Sequence, residues 1–463
     1  MTFDTKTYKE RRRILKHTVD KGLIILMGNV ESSMNYKDNL YPFRQDSTFL
    51  YFIGIDRSEL TAVIDIDQNR EIVFGDDLTT EEIIWTGYRE PLKVLCDRIG
   101  IRNIQRKDEL GTLIKEALRQ KRKIHFLPPY RPEQVELLGV LLGVPGTALP
   151  NMVSTTLIRA VVSQRSYKSP EEVAEISKAV TTTVNMQLAA ISMARGGMTE
   201  AQIAGKLQSI AIGDGGNLSF PTILTQNGQI LHNGYSQSKL VKGNLVLCDC
   251  GAETGMHYAG DLTRTFPISK KFTSIQRTIY DIVLNAHQSA VSMLKPGILF
   301  RDIHLFACEK LVEGLQQIGL MKGNVKEAVA LGAHALFFPC GLGHMLGLDI
   351  HDMENLGEKY VGYNDKIIQS TVFGLKSLRL GKALEEGFVI TVEPGIYFNP
   401  DLIDEWAAAK KFLPFINYNK LREYRKLSGV RVEEDFLITP KGSRLLGKKL
   451  AKTANELEAL RLS

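Results

Sequence analysis

Little in this sequence is extreme, and each shortage removes a class of protein. Five cysteines (Cys96, Cys248, Cys250, Cys308, Cys340) among 463 residues are odd in number and scattered. They exclude a disulfide framework and indicate reduced thiols in a cytoplasmic protein. Cys248 and Cys250 have no second cysteine pair to complete a zinc site, so they read as small buried hydrophobes. No apolar run reaches the roughly 18 residues of a membrane span, and Met1-Thr2-Phe3-Asp4-Thr5-Lys6 lacks the apolar segment of a secretory signal. Neither a membrane partner nor export is expected. Charge of one sign is also in short supply, with 58 basic against 52 acidic residues. The runs Arg11-Arg12-Arg13 and Lys121-Arg122-Lys123 read as solvated helix faces or turns. No aromatic residues interleave with them to stack bases, so a nucleic-acid partner is not expected. A Gly-rich phosphate loop is missing as well, because Gly213-Asp214-Gly215-Gly216 reads as a turn after a helix.

What is present is a soluble globular composition, 44% hydrophobic and 24% charged, in a chain too long for one ordinary core. A boundary is predicted near Ser169, giving domains of residues 1–168 and 169–463. Before it, Gly22–Met27, Leu60–Ile66 and Arg70–Phe74 read as strands and 108–121 as a helix, the pattern of an α/β domain. After it, Ser169-Pro170-Glu171-Glu172 reads as a capped helix start. Apolar residues at three- and four-residue steps run from Val173 to Ile191, Gly196-Gly197 ends that helix, and Thr199-Glu200-Ala201-Gln202 opens another. Thr273-Ser274-Ile275-Gln276 restarts the pattern with a helix towards Leu294, followed by a second from Arg301 to Leu320. The repeat predicts a duplicated helix–helix–strands unit.

Five residues stand out from this framework: Asp249, Asp261, His344, Glu393 and Glu433. Each lies in a segment that otherwise reads as buried strand or tight turn, such as Leu245-Val246-Leu247-Cys248-Asp249. An unpaired carboxylate there costs several kcal/mol, so it must be neutralised, paired or bound to a cation. Oxygen-rich ligands with one imidazole favour a hard or borderline divalent ion, Mn²⁺ first, with Co²⁺ or Zn²⁺ as substitutes. Four carboxylates exceed the needs of one ion and suit two. In Val430–Asp435, strand alternation sets Arg431, Glu433 and Asp435 on one face. His344 and His351 are seven residues apart, unlike the helical pair of a one-metal zinc protease. His17, His125, His287, His304 and His334 read as ordinary surface or helix residues.

Five blocks occur in order: 245–249, 259–267, 344–352, Thr391-Val392-Glu393-Pro394-Gly395-Ile396-Tyr397 and 430–435. Together they resemble the Xaa-Pro aminopeptidase and prolidase branch of the pita-bread metallopeptidases. Pro42 to Gly54 resembles that branch's N-terminal domain. The resemblance implies an α/β (α+β) fold, with a creatinase-like N-terminal domain before a pita-bread domain of pseudo-two-fold symmetry. It implies that Asp249 holds one metal ion, that Asp261 and Glu433 bridge two, and that His344 and Glu393 complete the other shell. A hydroxide shared by the ions would attack the scissile carbonyl while Glu393 handles the proton. His232 and His351 match assisting histidines, and Arg431 matches a residue behind the ligands. The implied activity is removal of an N-terminal residue before proline. Prolidase is the alternative, suggested by Arg379 and the long 398–429 segment, and a non-catalytic peptide-binding module is a remote one. The implied partners are proline-containing peptides and further copies of the chain, as a dimer or tetramer. One departure stands out: Cys340 occupies a position where the family usually has histidine, and a thiol is a poor donor, which predicts altered substrate handling.

Overall fold

The structure is a computed structural model describing residues 2–462. The chain divides into two compact units: one of residues up to Arg165 together with Asn355–Tyr360, the other of Ser166–Glu354 and Val361 onward.

In the first unit, strands β1 (Leu23–Met27), β2 (Thr61–Asp65), β3 (Arg70–Phe74), β4 (Asn103–Gln105) and β5 (Ile124–His125) form one mixed sheet in the order β4-β3-β2-β1-β5. Strand β2 is buried along its whole length, and β1 along all but its last residue. Their near-continuous apolar sequences fit that burial, as alternating ones would not. The 108–121 helix is a 3-10 turn (Lys107–Glu109) leading into an α-helix (Leu110–Arg119). Charge alone misjudged Arg11 and Arg12, which are buried, whereas Arg13, Lys121 and Lys123 are exposed as expected. Arg12 is fully buried: its guanidinium donates to the carbonyls of Phe52 (3.0 Å) and Ile99 (2.7 Å) and to Glu71 (2.8 Å). Arg11 lies 3.8 Å over the Tyr51 ring, and Arg122 ties to Asp65 and Asp67. Through Glu71, Arg12 ties its helix to β3 instead of facing water.

The second unit opens with the helix pair Pro170–Met193 and Glu200–Gly213, and the motif returns as Ser274–Ser292 and Phe300–Gln317. Three of the four start on a capping box: Ser169 with Glu172, Thr199 with Gln202, and Thr273 with Gln276. Each box satisfies two backbone N–H groups that the helix leaves unbonded. The fourth starts at Leu299 without a side-chain cap.

Strands β6 (Asn217–Leu218), β7 (Ile223–Thr225), β8 (Leu245–Cys250), β9 (Ala252–Glu253) and β10 (Leu262–Pro267) follow the first pair. Strands β11 (Val389–Val392), β12 (Gly395–Tyr397), β13 (Gly429–Arg431), β14 (Glu434–Thr439) and β15 (Gly442–Leu445) follow the second. One sheet runs β10-β8-β7 and another β11-β14-β15, while β12 pairs with β13 and β6 with β9. A large hydrophobic core packs the four helices on β7, β8, β10, β12 and β13. The strand predicted over 430–435 is two strands with a break at Val432-Glu433. The break occurs because Pro394 opposite has no N–H to give the ladder.

His125, expected on the surface or a helix, lies on β5 instead. His125, His287, His304 and His334 are all buried, with exposures of 0–2%. His287 and His304 are helical as expected but face the core. Only tertiary packing reveals this, since neither lies in a charged cluster of sequence.

Candidate metal centre

The site forms where two ladders meet. In the first, β8 and β10 are antiparallel and set Thr263 directly opposite Asp249, with Asp261 one residue before β10. In the second, β11 pairs with β14 and β12 with β13 in one common register, interrupted at the same place on both sides of the ladder. Carried across the gap, that register sets Glu393 opposite Glu433. The Glu433 N–H donates to the Thr263 carbonyl at 3.1 Å and joins the two ladders.

His344 enters from the loop between the helices and β11. Its backbone N–H donates to the Thr391 hydroxyl (3.1 Å), and its carbonyl accepts from the Thr391 N–H (3.0 Å). The neighbouring glycine makes this approach possible: a Cβ on Gly343 would stand 2.1 Å from the Thr391 carbonyl oxygen. His344 Nδ1 donates to the Met345 carbonyl at 3.0 Å, which leaves Nε2 as the lone-pair nitrogen. That Nε2 lies 3.5 Å from both Asp261 Oδ2 and Glu393 Oε1.

A cavity of about 400 Å³ opens onto this seam, and all eight predicted site residues line it: His232, Asp249, Asp261, His344, His351, Glu393, Arg431 and Glu433. Phe220, Pro221, Ile223, Leu231 and Ile350 supply apolar wall, and Cys340 is also part of the lining. One atom each from Asp261, His344 and Glu433 can be chosen so that all lie within 4.8 Å of one another.

The electrostatics of the bare protein are unfavourable. Burial, then the neighbouring carboxylates, push Asp261 and Glu433 well above the usual carboxylate range. Burial also raises Glu393. Oδ1 of Asp249 and Oδ1 of Asp261 are buried without a hydrogen-bond partner. Buried acceptors this close, with lone pairs unused, are neutralised by taking up protons or by a cation between them. Carboxylate oxygens and one neutral imidazole fit divalent metal, as the sequence predicted. Burial lowers His232, and burial with the His344 ring (4.1 Å between centroids) takes His351 down to about 4, so both are neutral at pH 7.

The chain is similar to known proteins over nearly its whole length. The family model described as metallopeptidase family M24 matches residues 171–440, well over half of the chain. The chain belongs to metallopeptidase family M24. The aminopeptidase P N-terminal domain model matches residues 8–125. The M24 chain is 32% identical to the Xaa-Pro aminopeptidase of Escherichia coli K12, over 98% of this chain and 97% of that one. It is 30% identical to the mouse Xaa-Pro dipeptidase, over 94% and 88%. Among solved structures, proline aminopeptidase P II from Yersinia pestis superposes with a TM-score of 0.81 at 27% identity, over 99% of this chain and all of that one. The fold is thus the pita-bread M24 fold with an aminopeptidase P-type N-terminal domain, and the family implies divalent metal ions.

Thr263, Tyr397 and Glu354, which help organise the site, carried little signal in the sequence. Arg431 bonds Asp249 Oδ2 (2.5 Å), Thr263 Oγ1 (3.1 Å) and the Tyr397 hydroxyl (3.0 Å), and the Thr263 hydroxyl donates to Glu433 at 2.6 Å. Asp435 accepts the Asp261 N–H at 3.0 Å. Glu354 receives both Arg379 and His351 Nδ1. Strand parity was the available clue, since Thr263 and Asp261, or Asp435 and Glu433, lie two apart. No local pattern pointed to Tyr397 or Glu354.

Proposed function

We propose that this chain is a metal-dependent exopeptidase that hydrolyses the bond between an N-terminal residue and a following proline. The observation that carries the reading is the convergence of three buried carboxylates, Glu393 and one neutral imidazole on a single cavity with an apolar wall. Its catalytic domain is read as residues 169–463 and its aminopeptidase P-type N-terminal domain as 1–168. Asp249 would hold one ion, Asp261 and Glu433 both, and His344 and Glu393 the second. Two divalent ions, Mn²⁺ first with Co²⁺ or Zn²⁺ as substitutes, supply Lewis acidity and a nucleophile at neutral pH when bound.

The protein's own groups do the rest. Glu393 leaves a fifth of its side chain open to the cavity, so its carboxylate takes the proton of the attacking water. That proton goes to the proline nitrogen, which has no N–H of its own and leaves as a secondary amine. His351 Nδ1 donates to Glu354 (2.5 Å), which leaves Nε2 of the neutral ring as an acceptor for a substrate N–H, and neutral His232 also lines the cavity. Arg431 positions Asp249. The apolar wall of Phe220, Pro221 and Ile223 suits the proline ring. The five free cysteines support a reducing, cytoplasmic setting, and the family resemblance supports a homo-oligomer. Among the described residues no helix is long and apolar enough to cross a membrane.

Prolidase remains the second reading because of Arg379, but that guanidinium is already engaged by Glu354. A dipeptide carboxylate would have to compete for it. The test compares Xaa-Pro-Yaa with Xaa-Pro cleavage by Mn²⁺-loaded protein, with EDTA and Glu393→Gln as controls. Preferential cleavage of Xaa-Pro-Yaa is expected. Strong dipeptide preference, lost on Arg379→Ala, would make the chain a prolidase, and no cleavage of either would end both readings.

A further inference from the structure

A second cluster of ligating side chains lies outside the catalytic cavity. His304 and Cys308 stand one turn apart on the Phe300–Gln317 helix, and His334 faces them from the 3-10 helix Ala333–Leu336. All three are at least 98% buried. One ligand atom from each can be chosen so that all lie within 4.8 Å of one another. Adjacent helical turns bring residues i and i+4 onto one face, which is how a helix offers a chelating pair.

The polar atoms of this cluster are poorly served by the protein. His304 Nε2 meets the Cys308 sulfur at 3.5 Å, but His304 Nδ1 and both ring nitrogens of His334 have no hydrogen-bond partner. The Val329 carbonyl approaches His334 without hydrogen-bonding geometry to either nitrogen. Phe338 packs on His304 with ring centroids 5.6 Å apart, closing that side with an apolar face. Three unpaired nitrogens beside a thiol, deep in a core, are out of keeping with the usual pairing of buried polar atoms.

We propose that His304, Cys308 and His334 form a three-ligand site for one Zn²⁺ ion, with the fourth tetrahedral position left to water. The 3.5 Å from His304 Nε2 to Cys308 Sγ already suits the pair. With bonds of about 2.0 Å to nitrogen and about 2.3 Å to sulfur, tetrahedral neighbours stand about 3.6 Å apart. A mixed sulfur and imidazole set selects a softer ion than the carboxylates of the catalytic seam do. Burial holds His304 at about 3 and His334 at about 4, so protons do not compete for the rings at neutral pH. Burial, together with nearby Cys340, pushes the Cys308 thiol well up, so binding displaces its proton to solvent and leaves a thiolate on the ion. The inference is independent of the peptidase reading, because none of the three lines the catalytic cavity.

Cobalt distinguishes the two sites, since only a sulfur ligand gives a thiolate-to-cobalt charge-transfer band in the near ultraviolet. Full-length protein is stripped of metal and titrated with Co²⁺. The expected result is an equivalent beyond those taken by the catalytic residues, carrying that band and bleached by one equivalent of Zn²⁺. The band is lost in Cys308→Ser and in His334→Gln, and kept in Cys340→Ser. Wild-type protein showing no band overturns the proposal, whatever the variants do, and leaves a hydrated histidine cluster. A band that survives Cys308→Ser but vanishes in Cys340→Ser also overturns it, by assigning the sulfur to the catalytic cavity.

Discussion

Glu393 and Glu433 face each other across an interrupted ladder, and like charges set directly opposite destabilise a sheet unless something neutralises them. In metal-stripped protein, Glu433→Gln is therefore expected to raise the melting temperature, and Mn²⁺ then raises it further by less than in the parent. Equal Mn²⁺ shifts in both, measured by calorimetry, would remove Glu433 from the ion's shell. Gly343 makes the opposite case. A methyl there meets the Thr391 carbonyl oxygen, and backbone has nowhere to go. Gly343→Ala should cost about 1–3 kcal/mol in denaturant unfolding and weaken metal binding through the displaced His344. At this scale the sequence was most readable where a residue contradicted its surroundings, as Asp249 does among Leu245, Val246, Leu247 and Cys248. It was least readable where a residue looked ordinary. Arg12 belongs to a basic run, and nothing local says that three acceptors wait for it inside the fold.

Helices announced themselves through their ends. The Ser169, Thr199 and Thr273 boxes fall at the predicted starts because capping is local chemistry, settled within four residues. Strand breaks are not local. The gap at Val432-Glu433 depends on Pro394, and on a register that only the folded sheet defines. The inward side of a helix is similarly hidden, and His287 on Ser274–Ser292 gives that a measurable form. Burial lowers it from 6.5 to about 3, with Glu434 at 3.9 Å opposing the shift and Lys452 and Arg264 adding to it. The folded pKa lies below the unfolded one, so this contribution to stability is whole above about pH 6.5 and is lost as pH falls towards 3. The slope is at most about 1.4 kcal/mol per pH unit. Denaturant midpoints at pH 7 and pH 5 should differ less in His287→Leu than in the parent. An unchanged difference would mean His287 titrates normally.

Across the whole chain, the order of motifs could be read but their assembly could not. The sequence placed a boundary near Ser169, yet nothing in it indicated that Asn355–Tyr360 is grouped with the first unit. The bonds that close the metal seam span comparable lengths of chain: 182 residues from Asp249 to Arg431, 174 from Asp261 to Asp435 and 170 from Thr263 to Glu433. Contacts so distant in sequence form late, because closing long loops costs entropy before it brings any return. The ions then have no complete site to bind in the folding transition state, and they act as a latch on the finished molecule instead of a nucleus for it. Stopped-flow traces should show Mn²⁺ slowing unfolding while leaving the refolding rate unchanged. A metal-accelerated refolding limb would mean that the seam forms early.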